Sequence, residues 1–191
     1  QTNSKMLHLE LICIGKTSFG YVQEGLDDYI NRLKHFCKFQ LKVLQVIDRL
    51  EAGGAERVFL DLSKLLLDKK IHVDTLTISA KGVLFDTIDT RATHYFFDRR
   101  NKFSLKKMLE CASLCSKYDI IHVHMRHTYA YVRLAQLISI SKFKILFHDH
   151  YGDINTDIRV PFTLRLLFKP TFYIGVSASL HNWAIKHLRM D

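Results

Sequence analysis

Two periods alternate along this chain, and that alternation constrains its fold more than any other feature. Short apolar runs of strand length recur between longer stretches whose apolar residues fall at helical spacing. "LHLELICIG" (7–15) reads as a strand and residues 19–38 as a helix, with Val22, Leu26, Tyr29, Ile30, Leu33 and Phe36 on one side. "LKVLQVI" (41–47) is a strand, and 55–69 a helix carrying Val58, Leu62, Leu65 and Leu66 on one face. Strands follow at 71–79, 93–97, 119–124, 143–150 and 171–177. Helices follow at 104–118 (capped by Ser104), 129–140, 161–168 (with Pro161 first) and 178–188. Such an order means βαβ units, a parallel sheet and right-handed crossovers. The expected fold is α/β: a Rossmann-like, mostly parallel sheet with helices on both faces. An extra strand–helix unit precedes it, with the division placed at 1–40 and 41–191.

In open parallel sheets, ligands bind outside the carboxyl ends of the strands. Those ends carry "DRLEAGGAER", "HMRHTY", "HDHYGD" and "SAS", and this convergence of polar and flexible segments points to a functional cleft. The pair Gly53–Gly54 has two readings. One is a tight turn with close strand–helix packing; the other is a helix N-terminus whose N–H groups approach a diphosphate. It is neither a G-x-G-x-x-G nor a Walker sequence. "HVH" (122–124) sets two imidazoles on one face of a strand, but no Cys or Glu at familiar ligand spacing accompanies it, so no metal is expected. His124, at the strand tip, is the candidate for hydrogen bonding or charge stabilisation in the cleft, and His122 reads as structural. Ser177 lacks the G-x-S-x-G elbow of a hydrolase. Cys111 and Cys115, four apart on one helix, suggest core packing.

The net charge of +9 favours phosphate-bearing partners: nucleic acid, an anionic membrane, or nucleotide-linked substrates. No platform of aromatic and basic residues stands out, so nucleic acid is not the expected partner. No apolar run approaches the roughly 18 residues that cross a bilayer. "QTNSKM" has no signal-peptide character and reads as a tag remnant or frayed end. Four cysteines are too few for a disulfide scaffold and read as reduced thiols. These features place the chain in the cytoplasm. Residues 157–170 mix Arg159, Arg165 and Lys169 with Phe162, Leu166, Leu167 and Phe168, which suits a helix on the sheet or a membrane-surface contact.

From about residue 41 onward the chain resembles the N-terminal half of a GT-B glycosyltransferase of the family-4 type. The resemblance rests on "KVLQVIDRLEAGGAERVFLDLSKLL", "YDIIHVHMRHTYAYVRLAQL", "KILFHDHYG" and "YIGVSASLHNWAI". It implies a sugar-nucleotide substrate with no further cofactor. It also implies a donor diphosphate at Gly53 and Gly54, His124 at the reaction centre, and an acceptor side formed by His148, Asp149 and Tyr151. The acceptor itself is not specified, and many members of the family work at a membrane surface. In that family a second Rossmann-like domain grips most of the donor, so this half alone is expected to turn over little.

Residues 6–43, with "IGKT" and "YVQEGLDDYINRLKHF", resemble the start of the knotted methyltransferase that modifies a pseudouridine of large-subunit ribosomal RNA. The two resemblances meet at "LKVLQVI", as in a chimera, natural or built. The added strand 7–14 is then expected at a sheet edge or in a homodimer. Two further readings follow: a structural or engineered α/β module without activity, and a protein related to ribosomal-RNA binding or methylation.

Overall fold

The computed structural model describes residues 41–99, 104–155, 157, 159, 164 and 169–190. The chain divides into two compact units, Gln1–Phe39 and Gln40–Asp191. The methyltransferase-like segment, its strand 7–14 and the dimer expected from it lie outside the described residues, as does nearly all of the helix expected at 161–168.

The described elements run β1 Lys42–Ile47, α1 Gly54–Asp68, β2 His72–Thr77, β3 His94–Phe96, α2 Leu105–Cys115, β4 Ile120–His124, α3 Arg126–Ser139, β5 Lys144–Asp149, β6 Phe172–Gly175 and α4 Ala178–Trp183. A π-helical turn, Ala184–Leu188, continues α4, and short 3₁₀ turns lie at Phe85–Thr87 and Gly152–Asn155. Every described strand pair is parallel, in the order β3-β2-β1-β4-β5-β6. This is the doubly wound arrangement, whose order reverses between β1 and β4 and leaves a crevice there. The fold is α/β and Rossmann-like, as the alternating periods imply.

Element starts follow local chemistry. Ser104 caps α2 by accepting from the Lys107 N–H, and Ser177 caps α4 by accepting from the Leu180 N–H. Helix α3 begins at Arg126, three residues earlier than periodicity suggests, because the chain turns sharply at Met125. Met125 has φ 70 and ψ 148, a region that residues with a Cβ seldom occupy. Its N–H donates to the His148 carbonyl, which ties the tip of β4 to β5.

The two sheet faces differ in chemistry. On one, Leu44, Val46, Leu76, Ile121, Val123, Ile145 and Phe147 pack with α2 and α3 through Met108, Cys111, Ala112, Cys115, Val132 and Ala135. Cys111 and Cys115 are both buried there. On the other face Ile47, Leu50 and Phe59 of α1 form a small apolar cluster. Beside it lie the buried polar side chains Gln45, Thr75, Thr77, His122, His124 and His148. Strands of a parallel sheet are ordinarily apolar on both sides. Polar groups buried along one face therefore mark where the sheet does more than pack.

Candidate functional site

The site is built where β1, β4 and β5 end. After β1 the chain passes Asp48 and reaches Gly53, the N-cap of α1, which has an extended backbone and no side-chain cap. The two glycines are not equivalent. A Cβ on Gly53 would run into the Glu56 carboxylate, whereas one on Gly54 would meet nothing within 4 Å. Glu56 is buried in the first turn of α1, where the helix dipole favours a carboxylate. The open approach to this helix start is therefore at Gly54.

Register brings the two histidine motifs together. His124 of β4 lies opposite His148 of β5, and the alternation of a strand puts His122 and His150 on the same face as their neighbours. His122 Nε2 is 3.2 Å from His148 Nδ1, and His124 Nδ1 is 3.0 Å from His150 Nε2. The Gln45 carbonyl oxygen, which only accepts, is 2.8 Å from His124 Nε2. His124 thus carries its hydrogen on Nε2, and its Nδ1 accepts from His150. The rings of His122 and His124 stack at 4.6 Å, and Phe59 meets His124 edge-on at 5.3 Å. Burial away from water holds His122 down to about 3 and both His148 and His150 down to about 4, and it keeps His124 well below the ordinary range. All four imidazoles are neutral near pH 7. The ligand nitrogens of His122, His124 and His148 lie within 4.8 Å of one another, so these residues are where a metal would be held among the described residues.

Beyond the histidines, Asp149 is fully buried at the end of β5. Its carboxylate accepts from Arg126 Nε and Nη2 at 2.9 and 2.8 Å, from the Tyr151 N–H at 3.1 Å and from the Tyr173 hydroxyl at 3.2 Å. The Arg126 guanidinium is flanked by the rings of Tyr151 at 4.1 Å and Trp183 at 4.7 Å. At the end of β1, the buried Asp48 carboxylate accepts from Ser79 Oγ at 2.8 Å and lies 3.5 Å from Arg99 and 3.8 Å from His127. Arg99 in turn covers the Tyr131 ring at 4.4 Å. With Arg49 Nε 3.3 Å from Asp48, the carboxyl edge carries Arg49, Arg99 and Arg126 around two buried carboxylates, a setting that suits an anionic ligand.

Of the residues singled out in the sequence, Gly54 stands open at the helix start and Gly53 is covered by Glu56. His124 is fully buried between Gln45 and His150, and His148 is buried beside His122. Asp149 is committed to Arg126, and Tyr151 stacks on that arginine. Sequence reasoning missed Gln45, Asp48, Arg99 and Arg126. Gln45 had one visible signal, a lone amide inside the apolar run "KVLQVI". Among the described residues, no helix is long and apolar enough to cross a membrane.

The family model for Glycosyltransferase Family 4 matches residues 52–191. No curated protein matches the chain. The family match begins after the segment likened to a methyltransferase, so it supports neither that resemblance nor a chimera. It spans the glycine turn, both histidine motifs and the Asp149–Arg126 pair, on a sheet of doubly wound order. The chain therefore belongs to Glycosyltransferase Family 4.

Proposed function

We propose that residues 41–191 are the acceptor-side domain of a glycosyltransferase that takes its sugar from a nucleotide diphosphate. One observation carries this reading in a chain of this family. An open, glycine-led helix start and a group of polar side chains stand side by side at the carboxyl ends of β1, β4 and β5. The N–H groups at the start of α1, approached past Gly54, meet the diphosphate, where the positive end of the helix dipole favours it. His124, neutral and bonded through both ring nitrogens, underlies the reaction centre and brings no charge to it. Tyr151 and His148 face the acceptor side. Asp149 acts there by fixing Arg126, whose charge is then available to an anionic acceptor or to the leaving phosphate. A single sheet edge provides one wall of a cleft. Transfer needs a second wall to exclude water, so this domain by itself binds donor weakly and turns over slowly. The positive net charge also suits work at an anionic membrane surface.

The test is a calorimetric or NMR titration of UDP, GDP and their sugars against the full chain and its Gly54→Val variant. Valine enters open space at 54, so the variant is expected to fold and to lose nucleotide binding. Failure of the unaltered chain to bind at millimolar nucleotide, or equal binding by both chains, would overturn the assignment of this turn.

A further inference from the structure

The histidines of β4 and β5 are more than the glycosyltransferase reading requires. That reading uses one imidazole at the tip of β4 and one on the acceptor side, yet the sheet buries His122 as well and sets His150 against His124. His124 pairs with His148, so the His-x-His of β4 and the one that ends β5 are staggered by two residues, and their side chains meet as His122–His148 and His124–His150 on one face of the sheet. The 3.2 Å between His122 Nε2 and His148 Nδ1 is close to the roughly 3.3 Å that separates two nitrogens on a tetrahedral zinc with bonds of about 2.0–2.1 Å. The His124 nitrogen lies within 4.8 Å of both.

A further feature suits coordination. The Gln45 oxygen fixes the hydrogen of His124 on Nε2, which leaves the Nδ1 lone pair facing His150 and able to exchange that hydrogen bond for a metal ion. A ligating histidine is ordinarily oriented in this way, by an acceptor on its other nitrogen. The Gln45 amide nitrogen is buried without a hydrogen-bond partner. A donor set made wholly of imidazole suits zinc, copper, nickel or cobalt and not magnesium or calcium.

We propose that His122, His124 and His148 bind one divalent first-row transition-metal ion of the zinc class, with His150 the nearest candidate for a fourth donor. The ion would link β4 to β5 directly beneath the two strand tips that carry the candidate site. Its role would be to hold that edge rigid.

The full chain, stripped with chelator and dialysed, is titrated with Zn2+ by calorimetry and with Co2+ by absorption spectroscopy. The expected result is one equivalent bound at micromolar concentration or tighter, an intense tetrahedral Co2+ spectrum, and a thermal midpoint that rises with Zn2+. His122→Gln and His148→Gln are each expected to weaken binding by roughly 100-fold or more. Imidazole NMR resonances of the unaltered chain provide a second readout that does not depend on how the variants fold. Zn2+ should shift those of His122, His124 and His148 and leave the exposed His127 and His181 unmoved. Binding only at exposed histidines, affinity unchanged in both folded variants, or no binding at about 100 µM Zn2+ would overturn the site. None of these readouts depends on sugar transfer or on nucleotide binding.

Discussion

His122, His148, His150 and His94 are each held neutral by burial, and this makes the stability of the domain depend on pH. In the unfolded chain a histidine takes its proton near pH 6.5. Here burial lowers His122 to about 3 and the other three to about 4. Between these limits the unfolded state binds more protons, so stability is fully present above about pH 6.5 and is lost as the pH falls toward 4. Each such residue contributes on the order of 1 kcal/mol per pH unit in that window. The thermal midpoint should therefore fall steadily from pH 7 to 5. A midpoint that stays level would mean that the imidazoles accept protons in place. A second prediction concerns Met125, whose backbone at φ 70 and ψ 148 is a glycine conformation worn by a larger residue. Such strain costs about 1–3 kcal/mol. Met125→Gly should raise the urea midpoint even after the loss of a half-buried side chain, and Met125→Val should lower it. Greater damage from glycine than from valine would show that side-chain packing, and not backbone strain, governs this turn.

Helix endings offer a cleaner case. Helix α3 closes with Ile140 at φ 55, while the N–H of Ser141 reaches back to the Gln136 carbonyl and that of Ile140 to the Leu137 carbonyl. This is the hydrogen-bond pattern that glycine most often completes. Isoleucine is poorly suited to the left-handed region, and at 85% exposure its side chain gains little from packing. Ile140→Gly should stabilise the domain by about 1 kcal/mol and raise its melting temperature by a few degrees. No change, or a loss, would indicate that something covers Ile140 in solution. The sheet faces make the same point about context. Strands β1 and β4 bury alternate residues against α2 and α3, and their intervening positions hold Gln45, His122 and His124. A burial that looks uniform along the strand thus divides into one dry face and one polar face.

At the scale of the whole domain, Arg126 connects parts that are remote in sequence. It begins α3, grips the last residue of β5, lies against Tyr151 and touches Trp183 of α4, while Tyr173 of β6 shares the same carboxylate. Removing the guanidinium leaves the carboxylate of Asp149 buried with only neutral donors. Arg126→Ala should accordingly cost about 3–5 kcal/mol by urea denaturation, and Arg126→Lys less, since lysine restores charge without the fork. A cost below about 1 kcal/mol would mean that Asp149 takes up a proton or gains water when its partner is lost.

The sequence by itself determined the fold class and most boundaries of the described elements, because strand and helix periods are properties of ten or fifteen neighbouring residues. It also marked the strand ends at which polar side chains gather, since those ends are defined by where each apolar run stops. Tertiary structure alone decided the strand order and register, and with them the content of the site. "HVH" and "HDH" are 26 residues apart and read as separate motifs until β4 and β5 pair with His124 opposite His148. Asp48 meets Ser79 and Arg99, and Gln45 meets His124, only because β2 and β4 flank β1 and β3 lies beyond β2. Contacts of this kind depend on which strands become neighbours, a choice made by the packing of the whole sheet and written in no single stretch of the chain.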